Sequence, residues 1–410
     1  MTKETFLAIL RSEIGVSLGV TEPAAVALAA ATASSDNDID VREIVVTASP
    51  NIVKNCMTVG VPGMAARGLR AAAALGAVGG RMELGLRVLE GADGAAVSAA
   101  ESLLADDRVR VELADDGELL SVDVRCAGTR GTGRCVIRGA HDRVVLVERD
   151  GQAVFRQDDR GVGSGGSGTG TQDAETIAAV PLARLVDLVE AASASELAFL
   201  REAADLNLRA AAYGLEHAPG MGAGAGLRAS RERGSLPDSL LSDLQIHTAA
   251  AADVRVSGCP VPVATCAGSG NHGIAAFVPV ARAAERLGAD ETTARRALAL
   301  SAAVTVFVKH HSGKLSAMCG CGVASGTGVA CALVLLRGGR LRAIEGAVAN
   351  MAATLTGMIC DGAKEGCSLK LVAAVSAAWT SAELALDGRV APDDNGILAP
   401  GAEATISRMG

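Results

Sequence analysis

Cys321, Cys360 and Cys367 have the types and spacing that bear most directly on chemistry in this chain. Cys321 lies in Met318-Cys319-Gly320-Cys321-Gly322, and the other two bound the segment Cys360-Asp361-Gly362-Ala363-Lys364-Glu365-Gly366-Cys367. Thiolates are the usual anchors of a [4Fe-4S] cluster, and three anchors leave one iron free as a Lewis acid. The set points to an iron-sulfur lyase. On an unbroken helix, positions seven apart share a face but stand about 10 Å apart along the axis, which is long for one compact cluster. Gly362 and Gly366 can break such a helix and let both thiolates turn to one centre. Cys319 and Cys321 face opposite ways in a helix and the same way in an extended segment. Cys321 is favoured as the ligand, and Cys319 is expected to point away. A zinc site from Cys319, Cys321, Cys360 and Cys367 is the competing use, but its spacings of one and six intervening residues fit zinc poorly.

Cys126, Cys135, Cys259, Cys266 and Cys331 have small or apolar neighbours and no partner at ligand spacing, so they read as buried thiols. His310 and His311, after Lys309, face either solvent or the approach to the cysteines. Lys309, Lys314, Lys364 and Lys370 leave a Schiff base open on composition, although the cluster chemistry requires no pyridoxal phosphate.

The elements that must position these residues come from 410 residues, enough for two or three domains. Hydrophobic residues make up 49% of the chain, yet it has one Trp, one Tyr and five Phe, so Ala, Val and Leu must fill the core. A charge of -8 without basic-aromatic clusters gives no reason to expect a nucleic-acid partner. The charge-free run 256–281 is interrupted by proline, glycine, Asn271 and His272, and the apolar run 297–308 is too short to span a bilayer. No membrane span is expected, and the mean hydropathy of +0.32 reflects alanine and valine. The acidic start Met1-Thr2-Lys3-Glu4 lacks the apolar core of a signal peptide, so a cytoplasmic location with reduced thiols is expected.

Residues 3–34 read as helix in two pieces, with Thr21-Glu22-Pro23 starting the second. Residues 41–47 read as a strand broken by Ser49-Pro50-Asn51, and 109–155 as β structure with strands at 109–113, 119–125, 134–138 and 144–148. An N-terminal α/β domain over 1–160 follows. The Gly/Ser-rich run in 161–174 reads as a loop or linker and lacks the Gly-Lys-Ser/Thr of a phosphate loop. Residues 175–410 are helical in pattern: 182–212, 240–252, 278–287, 291–308, 323–336, 341–355 and 369–386. The fold class is α+β.

Gly268-Ser269-Gly270-Asn271-His272-Gly273 matches the dinucleotide fingerprint, which raises an NAD-dependent oxidoreductase as a further alternative. A Rossmann unit needs a second strand ending in an acid about 20 residues on. Asp290 and Glu291 instead begin another helix.

Taken together, the motifs resemble the L-cysteine desulfidase family, a branch of the iron-sulfur L-serine dehydratases. The resemblance runs almost end to end. It rests on Gly19-Val20-Thr21-Glu22-Pro23, Ser49-Pro50-Asn51-Ile52-Val53-Lys54-Asn55, Gly60-Val61-Pro62-Gly63, the Gly268–Ile274 run, Lys314-Leu315-Ser316-Ala317-Met318-Cys319-Gly320-Cys321, and Met358-Ile359-Cys360-Asp361-Gly362-Ala363-Lys364 with Cys367. It implies a [4Fe-4S] cluster on Cys321, Cys360 and Cys367. It also implies an N-terminal domain like the serine dehydratase β part and a helical catalytic domain, with a small amino-acid substrate between them. Thr21, Glu22, Asn51, Lys54 and Asn55 would face the substrate from one side, Ser269 and Asn271 from the other. A homo-oligomer is allowed for. Where the family has cysteine as proton acceptor in Gly-Cys-Thr-Glu-Pro, this chain has Val20, which cannot take a proton. Two candidate bases replace it: Cys56, where the family has glycine, and His272, where relatives often have glutamine. The implied activity is β-elimination from L-cysteine or L-serine. The alternative is a non-catalytic amino-acid-binding or sensor relative that lost the proton acceptor.

Overall fold

Apolar residues alternate along strand β2 (Val41–Ala48), so Ile44, Val46 and Ala48 turn inward while Glu43, Val45 and Thr47 turn out. In the computed structural model, which describes residues 1–35, 39–157, 177–313 and 315–410, β2 is internal to a six-stranded sheet. The other strands are β3 (Val109–Leu113), β4 (Ser121–Gly128), β5 (Gly131–Arg138), β6 (Val144–Arg149) and β7 (Gln152–Arg156), in the order β3-β2-β4-β5-β6-β7. Only the β2-β3 pair is parallel, and its crossover carries α3 (Pro50–Cys56), α4 (Gly68–Gly79) and α5 (Gly94–Ala105). The chain is thus of mixed α+β class. The Gly/Ser-rich run of 161–174 lies outside the described residues.

One face of the sheet packs against α4 and α2 (Thr21–Ser34). Because α2 is almost entirely alanine and small residues, neighbouring backbones approach closely. A β-carbon at Gly76 of α4 would stand 2.4 Å from the Ala27 carbonyl oxygen. Glycine at that contact takes the place of the aromatic filling the chain lacks.

The second core is helical. The helical body around it is built from α6 (Leu182–Ala191), α7 (Ala198–His217), α8 (Ala223–Glu232), α9 (Leu240–Val256), α10 (Gly270–Arg286), α11 (Glu291–Ser312), α12 (Gly326–Leu336), α13 (Leu341–Leu355), α14 (Cys367–Leu386) and α15 (Ala402–Met409). Among the described residues, α14 is the one helix long and apolar enough to cross a bilayer. It packs against α9, α12 and α13 with Leu371, Ala374, Val375 and Ala378 buried, as a core helix does.

The first 18 residues depart from a division of the chain at residue 160. Helix α1 (Lys3–Glu13) inserts Phe6, Leu7, Ile9 and Leu10 into the helical core. Strand β1 (Val16–Leu18) pairs antiparallel with β8 (Pro262–Ala264), joining the two halves where α2 and α10 begin.

The dinucleotide reading fails here. Strand β8 belongs to a two-stranded antiparallel sheet, and α10 runs into α11 without an intervening strand. The glycines serve local geometry instead. Gly268 has φ +76 in the turn before α10, and a β-carbon at Gly273 would stand 2.1 Å from the Ala264 carbonyl oxygen.

Candidate active site

A cavity of about 890 Å³ opens between the sheet unit and the helical body. Glu22, Asn55 and the β5-β6 loop with His141 line it from one side, and Arg255, Ser269, Asn271, His272 and Lys309 from the other. Cys319, Cys321, Cys360 and Cys367 share the same wall.

Two loops carry the cysteines and are tied together by backbone hydrogen bonds. The Cys319 amide donates to the Met358 carbonyl at 2.8 Å, and the Cys360 amide to Ala317 at 2.7 Å. Cys321 opens a π-helical turn (Cys321–Ser325) leading into α12, and Cys367 is the first residue of α14. Both therefore sit at helix starts, and at the first of these the amides of Cys321 and Gly322 favour the Cys319 thiolate. No helix spans Cys360 to Cys367. Gly362 has φ +96, and a β-carbon there would lie 2.3 Å from the Lys54 carbonyl oxygen, so the loop turns tightly against the end of α3.

Cys319 does not point away, contrary to expectation. Its thiol lies beside that of Cys321, and both line the cavity. The Cys321 thiol holds Cys319 down to about 6, and Cys321 is pushed up in turn. Cys367 is raised by burial. Among the described residues, no three His, Cys, Asp or Glu side chains close on one point as a bound metal ion requires, so the four cysteines line one wall without converging on a common centre. The five cysteines read as ordinary thiols behave so. Cys126, Cys135 and Cys331 are buried and pushed up to about 12 by that burial, Cys266 is in the helical core, and Cys259 is half-buried.

Glu22 anchors the opposite wall. Asn55 Nδ2 donates to its Oε1 at 2.7 Å, Thr21 Oγ1 donates to its Oε2 at 3.1 Å, and His141 Nε2 stands 3.8 Å away. Burial alone would raise this carboxyl, but His141 and then Arg255 outweigh it and hold it at about 2. Because the folded value lies below the ordinary 4.5, the stabilisation is fully present above about pH 4.5 and lost as pH falls toward 2. Linkage makes it worth on the order of 3 kcal/mol. Glu22→Gln should flatten the fall of unfolding free energy across that window in urea titrations at stepped pH. An unchanged slope would remove Glu22 as its source.

The remaining predicted residues divide. Ser269, Asn271 and His272 reach the cavity because the turn after β8 delivers the first residues of α10 to it. Burial, then Lys309 and Arg255, pushes His272 down to about 3, so its imidazole is neutral. Thr21, Asn51, Lys54 and Cys56 do not line the cavity. Asn51 Nδ2 instead donates to the Leu119 carbonyl at 3.4 Å. Cys56 is fully buried in the sheet unit's core, and burial together with Glu22 drives its thiol well above the ordinary range.

Sequence reasoning did not place Arg255, Lys309 or His141 in the site. Arg255 ends the apolar run of α9 and Lys309 that of α11. A lone cation closing a buried helix was the available signal, since Lys and Arg are rarely fully buried without a partner. Burial lowers Lys309 to about 8 against the upward pull of Cys321, Cys360 and Cys319.

The family model for the serine dehydratase alpha chain matches residues 84–410, a range that contains every cavity cysteine. The chain belongs to the serine dehydratase alpha chain family. A UPF0597 protein of Clostridioides difficile (strain 630) is 36% identical over 405 residues, covering 98% of this chain and 94% of the relative. A UPF0597 protein of Methanocella arvoryzae is 38% identical over 410 residues, covering 100% and 94%. A third, of Alkaliphilus oremlandii, is 34% identical over 409 residues, with the same coverage. These relatives match the sheet unit as well as the helical body.

Proposed function

We propose that the chain is a β-eliminating lyase that converts a small L-amino acid to pyruvate and ammonia, either L-serine without net uptake of water or L-cysteine with uptake of one water and release of sulfide. A [4Fe-4S] cluster held by Cys321, Cys360 and Cys367 is part of this reading. The observation that carries it is the meeting of those thiols with His272, Asn55 and Asn271 around one cavity in a serine dehydratase family member. The donor set fits the group in kind: soft thiols line one wall, and Lys309 and Arg255 supply positive charge beside them. When bound, such a cluster offers a Lewis-acidic iron to the leaving group.

The chain's own residues then have defined tasks. Asn55 and Asn271 orient the substrate. His272, the one of the two candidate bases on the cavity wall, accepts the Cα proton while neutral. The electron pair of that C–H bond becomes the Cα=Cβ bond, and the Cβ substituent departs with its bonding pair. The aminoacrylate so formed hydrolyses to pyruvate and ammonia. Lys309 faces the negative charge that develops near the thiols.

A second reading, an amino-acid-binding relative without turnover, draws on Val20. Its side chain is buried and lines the cavity where the resemblance implies a cysteine. Anaerobic reconstitution followed by pyruvate assay with L-cysteine and with L-serine separates the two. Pyruvate from at least one of them is expected. Absence of product from both, with activity gained on Val20→Cys, would favour the second reading.

A further inference from the structure

Besides His272 with its Nδ1, three buried side chains on the cavity wall carry polar atoms without a hydrogen-bond partner. They are Arg255 through Nε and Nη2, Asn55 through Oδ1 and Asn271 through Oδ1. Arg255 is 2% exposed, Asn271 4% and Asn55 7%. Buried polar groups in folded proteins are almost always paired, so three orphans around one cavity call for an occupant.

The orphans are complementary in kind. Arg255 offers donors and positive charge, and it feels Glu22, Cys321 and Cys367 only through space. The Asn55 amide is oriented by its Nδ2 donating to Glu22 at 2.7 Å, which leaves Oδ1 as an acceptor. Glycine at the first position of α10 keeps the guanidinium accessible, since a β-carbon at Gly270 would stand 2.3 Å from Arg255 Nε. The same glycine sets the first-turn amides of α10 near the guanidinium.

We propose that Arg255 binds the substrate α-carboxylate while Oδ1 of Asn55 and of Asn271 accept from its α-ammonium, so the site takes free α-amino acids and rejects their amides and esters. The identity of the ligand as a substrate rests on the lyase reading above; the binding site itself does not. Arg255 and the carboxylate form a charge-assisted, fork-shaped pair.

Calorimetric titration of the full chain with L-alanine, which has no β leaving group to lose, tests the assignment. L-Alaninamide serves as the control. Wild type should bind L-alanine at least about thirtyfold more tightly than the amide, the scale of losing one partner of a buried charge pair. Arg255→Gln should weaken L-alanine by a similar factor and erase the preference, while Arg255→Lys keeps part of both. Bound iron should be unchanged. The melting temperature should hold or rise in Arg255→Gln, because a partnerless buried charge has been removed.

Unchanged L-alanine affinity in Arg255→Gln overturns the proposal, as does failure of the wild type to bind L-alanine. Loss of iron from Arg255→Gln with undiminished L-alanine binding overturns it too, since Arg255 would then support the thiols. Wild type that binds L-alanine through Arg255 but releases no pyruvate from L-cysteine or L-serine sinks the lyase reading alone.

Discussion

Serine in place of Cys360 or Cys367 should strip the anaerobically reconstituted protein of its bound iron and take pyruvate formation to background. Both thiols bound one loop on the cavity wall, and a serine hydroxyl is a hard donor that cannot replace a soft thiolate there. Partners outside the ligand shell are already worth 10–100-fold in metal affinity, so the loss for a direct ligand should exceed about a hundredfold. Cys321→Ser should behave alike, whereas Cys319→Ser should keep iron. That pair is the informative comparison, because the two thiols lie together and geometry leaves both within the site. Retention of iron in Cys321→Ser with its loss in Cys319→Ser would move the ligand two residues toward the N-terminus.

His272→Gln should lower kcat by about a hundredfold, the usual scale for a general base, with a much smaller change in KM. Cys56→Ala should leave kcat within a few-fold of the parent and cost about 1 kcal/mol of stability, as expected for trimming a fully buried core thiol. Steady-state assays paired with urea unfolding distinguish the two outcomes. Full activity in His272→Gln removes it as the base, and a hundredfold drop in Cys56→Ala would require the sheet unit's core to open onto the cavity.

Much of the fold was legible because its signals are local. Strands β2, β3, β5 and β6 follow from period-two alternation within a few residues of their ends. The run 182–212 looked like one helix, yet α6 and α7 are separate because Ser193 and Glu196 cap each other, with Ser193 N donating to Glu196 Oε2 at 2.9 Å. Helix α10 starts eight residues before the expected 278, in a glycine-rich stretch that reads as loop and with Pro279 accommodated inside the helix. Apolar periodicity cannot reveal which core a helix joins, so α1 was placed with the sheet although it packs with the helical body.

The site was legible where chemistry repeats along the chain and opaque where it depends on tertiary contact. The cysteines announced themselves by spacing. Cys56 misled because adjacency to Asn55 in sequence puts it on the other face of α3, in the core. Arg255 and Lys309 were harder to place because a single cation after an apolar run marks a site only once folding buries it.

Whether these loops hold a four-iron cluster is decided by iron and acid-labile sulfide analysis of the anaerobically reconstituted full chain. About four iron atoms and about four sulfides per chain are expected, both lost in the Cys321, Cys360, Cys367 triple serine variant. Zinc without sulfide in the parent, or undiminished iron and sulfide in that variant, would contradict such a cluster.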